Sequence, residues 1–305
     1  MGGFMAGPRR RFDVLSLSAQ QVTQLTTAFN VLKTNGTYDG FIRRHMTAAM
    51  TPTPAVSQTN AAHCGPTFLP WHRAVLWELE TALITVDPTI TGIPYWRWEN
   101  EASRNAGNPK LSALWTAAYF GTDGDPTQGD RVVNGPFATW QALIWNNTTR
   151  TFSSRSPAGI VRRLGRDTAG LTSLPNQAQV TDANTYTTYD VAPFDKTSAS
   201  FRNRMEGWAT TSRMHNQVHR WIGGDMLAGT SPNDPVFWLH HANVDRIWWT
   251  WQQASSPLRP YLPASPNGPV GQRSDDRLVG LLRPDWTPNL LQDIGNTTNL
   301  GYEYV

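Results

Sequence analysis

His215 and His219 stand four residues apart in a segment of helical pattern, and that spacing constrains this chain more than any other feature. Residues i and i+4 lie on one helix face, so both imidazoles can reach the same metal ion. A zinc peptidase built on this spacing needs Glu directly after the first histidine; here the residue is Asn216, and the base for a hydrolytic water is missing. A third imidazole, His241, opens the face of a later helix, with Asp245 one turn on. Three neutral imidazoles with no carboxylate or thiolate among them favour copper over magnesium, calcium or non-haem iron. The first half repeats the count: His45 falls on a helix, His63 follows a Pro-rich loop, and His72 stands at the start of another helix. Two three-histidine sets from separate helical pairs predict a binuclear centre in a helix bundle. Of the seven histidines only His240, the neighbour of His241, is left over.

Composition narrows the alternatives. A single cysteine, Cys64, excludes an intrachain disulfide and any Cys-based zinc or iron–sulfur cluster. Lys+Arg 26 against Asp+Glu 23 leaves a net charge of +3, too little to argue for nucleic acid as a partner. No apolar run approaches the ~18 residues that span a bilayer. Hydrophobic residues reach 39% and include 14 Trp, so a large core is available and wholesale disorder is excluded. No internal repeat divides the 305 residues, which read as one domain with residues 1–17 as a flexible arm. Arg9, Arg10 and Arg11 suggest a twin-arginine export signal, but Phe12–Leu17 is shorter than the apolar core of about 7–15 residues that such a signal needs. Location is left between the cytoplasm and export on a partner's signal.

The pattern along the chain is mainly helical, with long loops and few short strands. Ser18 and Gln21 form a capping box before Val22, Leu25, Phe29 and Leu32. Gly36 and Gly40 bracket a turn before a helix over Phe41–Met50, and Pro52 and Pro54 make the next stretch loop. A third helix starts near Pro70 and stops at Asp87-Pro88. Turn-forming sequence fills most of 99–198, with a strand expected at Ile93–Trp98. Helices return at Phe201–Trp208, from about Ser212 to Trp221, and from Pro235, behind the capping carboxylate of Asp234, to Gln253.

With these motifs assembled, the chain resembles the tyrosinase family, the type-3 binuclear copper proteins that include catechol oxidases and haemocyanins. The resemblance rests on His63-Cys-Gly-Pro-Thr-Phe68-Leu-Pro-Trp71-His72-Arg73, on His215-Asn-Gln-Val-His219, and on Ser231-Pro-Asn-Asp-Pro-Val-Phe237-Trp-Leu-His240-His241-Ala-Asn-Val-Asp245-Arg246. It extends from about Tyr38 to Trp251 and is closest to the bacterial type. It implies that His45, His63 and His72 hold copper A, and that His215, His219 and His241, rather than His240, hold copper B. It also implies dioxygen as co-substrate and oxidation of phenols and o-diphenols to o-quinones, with ortho-hydroxylation of monophenols. An o-aminophenol oxidase giving quinone imine or nitroso products is the alternative, and a non-enzymatic haemocyanin-like oxygen binder the remote one.

Further residues take roles from the same resemblance. Glu206 and Asn216 would hold a water that deprotonates a monophenol, and Asp245 would orient a ligand or a neighbouring backbone group. Gly229, ten residues after His219, would widen the substrate entrance because a larger side chain is missing there. Cys64 follows a ligand instead of preceding it, so a buried free thiol is expected in place of a Cys–His crosslink. A caddie partner would deliver copper, contacting the mouth near Gly229 and Trp221.

Overall fold

The computed structural model describes residues 8–55, 57–209 and 213–305. Among them the fold is mainly helical, as expected. The first helix, α1 (Ala19–Thr34), is closed by the Ser18–Gln21 capping box and buries Val22, Leu25, Phe29 and Leu32 on one face. The second, α2 (Thr37–Ala49), starts four residues before Phe41 and takes in Gly40, so the turn is confined to Gly36. Tyr38 explains the early start: its hydroxyl donates to Pro232 O at 2.6 Å and accepts the Trp238 indole N–H at 2.7 Å, so it belongs to the core. The third, α3 (Phe68–Val86), starts two residues ahead of Pro70, which sits in the first turn, where no hydrogen bond from its nitrogen is required.

Short helices punctuate the loops: α4 (Glu101–Arg104), α5 (Gln177–Asn184, with an Asn176–Gln179 capping box) and α6 (Phe201–Glu206). The seventh, α7, runs Met214–Ile222; its expected start at Ser212 lies outside the described residues. The last, α8 (Val236–Gln253), begins as the Asp234-Pro235 signal requires, with the Asp234 carboxylate accepting from Val236 N at 3.1 Å. That carboxylate is itself fixed by buried Arg162 at 2.6 and 2.7 Å. At the centre α3 packs on α8, α7 on α8, and α1 on both α2 and α3. Eight of the largest fully buried side chains are tryptophans, which fill the space between helices and loops.

Two expectations fail. Residues 93–98 form no strand: Tyr95 makes one bridge to Asp13. Nor is the N-terminal stretch a free arm over its described part. Strand β1 (Arg9–Arg11) pairs in parallel with β4 (Tyr302–Tyr304), and Val14 is buried. Charge draws Arg9 and Arg11 toward Glu80 while Arg10 stays at the surface: Arg11 is fully buried, bonds Glu80 at 2.7 Å and stacks its guanidinium 3.7 Å from the Tyr302 ring centre. A second small sheet, β2 (Leu143–Asn146) with antiparallel β3 (Thr151–Ser154), lies in the long loop region.

Candidate metal centre

Four helices and one loop bring all seven histidines into two adjoining sets. His45 comes from α2, His72 from α3, and His63 from the loop between them; their donor atoms lie within 4.8 Å of one another. His215 and His219 come from α7, His240 and His241 from α8, and these form the second group by the same measure. The sets touch: the rings of His72 and His241 stack with centroids 4.1 Å apart and planes at 11°.

Ring orientation follows from backbone hydrogen bonds. His45 Nδ1 donates to Gly229 O at 2.7 Å, His72 Nδ1 to Phe68 O at 2.8 Å, and His219 Nδ1 to Met226 O at 2.6 Å. His215 Nδ1 faces Glu206 O at 3.2 Å and Asn216 Oδ1 at 3.0 Å. With Nδ1 carrying the proton, each Nε2 is a free lone pair; those of His45, His72 and His215 are buried without a hydrogen-bond partner. His219 Nε2 and His241 Nε2 point at each other at 3.5 Å. Burial disfavours the imidazolium throughout, lowering His45 and His219 to about 4 and holding the other five well below the usual histidine range. Neutral imidazoles with inward lone pairs fit two metal ions bound by nitrogen.

The loop carrying His63 is tied down from far along the chain. Asn60 Oδ1 accepts the His63 N–H at 2.7 Å. Gln272 accepts from Thr67 N at 3.1 Å and donates to Thr53 O at 2.8 Å, and Tyr189 OH donates to Pro66 O at 2.6 Å. The Cys64 N–H donates to Glu206 Oε1. Cys64 adopts a left-handed φ of 67° and is buried; burial and the Glu206 carboxylate push its thiol up to about 12. Glu206 is itself raised by burial, against the pull of Arg202, which donates to Oε2 at 3.0 Å. Both its oxygens are therefore engaged in fixing the His63 loop and α6.

Asp245 is placed differently from the expectation. It makes no hydrogen bond to a histidine among the described residues. It accepts instead from Arg73, the residue after His72, from Arg11 at 3.1 Å, and from the hydroxyls of Tyr302 and Tyr304. Burial would raise its carboxyl, but Arg73 and Arg11 hold it below the usual range. It locks α8 to α3 and to the terminal strands.

A cavity of about 540 Å³ opens over the sets, lined by His45, His63, His215 and His219 with Asn216, Trp208, Leu227 and Gly229. Gly229 lies on its wall, but a Cβ there would meet Met46 Sδ at 2.6 Å, so Met46 takes the space that the missing side chain was expected to open. Trp221 is no part of the mouth: it is buried, 5.8 Å from Trp115 and 6.4 Å from Trp96 between ring centres. The rim is Trp208, 41% exposed, and Leu227, 56% exposed. Sequence reasoning missed Gln272, whose role no local pattern signals, and Gly207. Gly207, at φ 102°, ends α6, and a Cβ there would lie 2.5 Å from Arg213 O; its position just past the helix end was the available signal.

The common central domain of tyrosinase matches residues 35–254. The tyrosinase of Streptomyces antibioticus is 39% identical over 83% of this chain and 86% of its own length. Grixazone synthase of Streptomyces griseus subsp. griseus is 34% identical, over 85% and 89%. Among solved structures, a variant polyphenol oxidase from Thermothelomyces thermophila superposes with a TM-score of 0.71 at 23% identity, over 98% of this chain and 91% of that one. A functional unit of octopus hemocyanin gives 0.56 at 21%, over 96% and 67%.

Proposed function

The chain belongs to the tyrosinase family of type-3 copper enzymes, and from that premise we propose that His45, His63 and His72 hold copper A and that His215, His219 and His241 hold copper B, within one domain spanning the chain. The protein is a copper-dependent phenol oxidase that works with two copper ions and dioxygen. The observation that carries the ligand set is the convergence of two histidine groups, within which His45, His72, His215 and His219 turn Nδ1 to backbone carbonyls and leave Nε2 for a metal. When bound, the copper pair supplies dioxygen activation and electron transfer. The chain's own groups do the rest. Backbone carbonyls hold the imidazoles in register, and the buried cage keeps bulk water from the deep side of the centre. Trp208 and Leu227 receive an aromatic ring at the mouth.

Ortho-hydroxylation of monophenols is the finer reading. A monophenol must lose its proton before oxygenation. Asn216 stands on the cavity wall, and Glu206, whose carboxyl burial makes more basic, lies against the Cys64 and His215 segments. The pair handles that proton through a water. Asn216→Ala should then lower monophenol turnover by about 10²–10⁴-fold while diphenol turnover changes little. Equal losses on both substrates would assign Asn216 a purely structural role.

Oxidation of o-aminophenols is the second reading, favoured by the open cavity and the 34% identity to grixazone synthase. Steady-state rates on tyrosine, a catechol and an o-aminophenol with copper-loaded protein separate it from the first. A caddie partner completes the proposal, docking on Trp208, Leu227 and the wall at Gly229, with buried Trp221 taking no part. Co-production with such a partner should raise copper content to two ions per chain; full loading of protein made alone, without added metal, would exclude the requirement.

A further inference from the structure

The wall of the cavity over the histidines carries charge of one sign. Its charged residues are Arg213 and Arg220, and no Asp or Glu lines it among the described residues. The histidines beside them are held neutral by burial, so copper bound there adds to the positive side. A cleft lined by one sign of charge concentrates field lines and draws in a ligand of the other sign.

Both arginines are placed by α7. Arg213 stands just before its first residue, two positions ahead of His215, and Arg220 directly follows His219. Their situations differ. Arg220 is spent within the protein: its Nε and Nη2 donate to the Asp167 carboxylate at 3.2 and 2.8 Å, and Asp167 does not line the cavity. Arg213 commits its backbone, the carbonyl accepting from Gln217 N at 2.6 Å. Arg213 is exposed, and its guanidinium makes no hydrogen bond or ion pair among the described residues, which include every Asp and Glu of the chain. Lys196 reinforces the sign at the rim, its ammonium 4.4 Å from the Trp208 ring centre. The neighbouring Asp195 turns its carboxylate onto Thr197 N and Oγ1, at 2.7 Å each.

An exposed arginine without a partner is ordinary on an open surface. Here it stands on the wall of a cavity whose rim, Trp208 and Leu227, suits an aromatic ring, and its planar fork of donors matches a carboxylate. We propose, building on the phenol oxidase reading, that Arg213 selects the substrate and that the cavity prefers phenols carrying a carboxylate and no ammonium. An amino acid such as tyrosine sets an ammonium next to its carboxylate, and the wall offers that ammonium no acidic partner. A simple phenolic acid brings only the anion that Arg213 holds. A phenolic amine brings only the charge that the wall repels. Arg213 touches the substituent and not the reacting ring carbon, so its effect falls on KM more than on kcat.

The test is kcat/KM of copper-loaded full-length protein on catechols that differ in charge: 3-(3,4-dihydroxyphenyl)propionate, 3,4-dihydroxyphenylalanine, dopamine and uncharged 4-methylcatechol. Wild type should favour the propionate over the amino acid and the amino acid over dopamine, by about 3–10-fold at each step. The preference should lie mainly in KM and should shrink in about 0.5 M salt. Arg213→Gln should remove most of the preference for the propionate over 4-methylcatechol, Arg213→Lys should restore part of it, and Arg213→Glu should put dopamine ahead. Equal kcat/KM on the three charged catechols in wild type, or the wild-type order persisting in Arg213→Gln and Arg213→Glu, would overturn the proposal while leaving the phenol oxidase reading intact. Circular dichroism checks folding; should the variants misfold, the salt dependence of wild type decides, and a spread that salt does not change overturns the proposal. Failure of wild type to oxidise 4-methylcatechol would refute the reading of the cavity as the substrate site, and this proposal with it.

Discussion

The histidines of the second set all hang from helices, two from α7 and two from α8, whereas the first set depends on His63, carried by a loop. A helix sets the spacing of its side chains by its own backbone bonds, so the geometry of the second set is largely local. The loop has no such rule. His63 is held by Asn60 nearby and, through its neighbours Cys64, Pro66 and Thr67, by Glu206, Tyr189 and Gln272, bonds that span 123 to 205 residues. On the proposed ligand assignment, one copper site would be set by helical periodicity and the other by long-range polar contacts, and damage should fall on them unequally.

The largest effect should come where the halves are joined, and there the inequality should vanish. Asp245→Ala strands Arg73 and Arg11 as buried, under-compensated charges and removes the acceptor for two tyrosine hydroxyls. Removing one partner of such a buried pair costs about 3–5 kcal/mol. Chemical denaturation of the variant should show a loss of that size, with both coppers lost together; survival of copper B alone would show that the joint does not bind the halves.

Glu206→Ala should separate them. It leaves the buried Cys64 N–H unpaired and frees the His63 loop, while the backbone carbonyl that faces His215 survives the substitution. Copper A affinity should fall about 10–100-fold, with copper B changed much less. Copper titration followed by metal analysis reads the split, and equal losses would remove the distinction. Gln272→Ala should act in the same direction more weakly, costing about 1–3 kcal/mol of stability through the polar groups it leaves at Thr53 and Thr67.

The loop explains what the sequence could and could not reveal. Helical spacing and motif order marked six of the seven histidines, leaving His240 over, and the Ser18 and Asp234 caps marked two helix starts. Nothing near residue 63 points to Gln272, because their bond is made by the fold. The arginines at 9–11 read as a solvated arm for the same reason: their partners Glu80 and Asp245 lie 69 and 234 residues from Arg11. Asp245 read as a ligand's partner because helical spacing places it one turn from His241, whereas tertiary packing turns it toward Arg73.

The effect of pH should be shared evenly by the two sets. His45 in one set and His219 in the other are each lowered by burial to about 4, against about 6.5 in an unfolded chain. Between those values the unfolded state binds more protons, so metal-free protein should lose stability as pH falls from about 6.5 and level off, for these groups, below about 4. Denaturation midpoints of the metal-free protein across that range check the sign; rising stability on acidification would contradict the neutral, buried imidazoles.

Metal analysis of copper-loaded wild type beside His63→Asn and His219→Asn tests the central claim most directly. The account predicts two coppers per chain in the wild type and one in each variant, with the ion left in His63→Asn harder for a chelator to remove than the ion left in His219→Asn. One metal per wild-type chain, zinc in place of copper, or both ions lost from either single variant would contradict two adjoining sites built by different means.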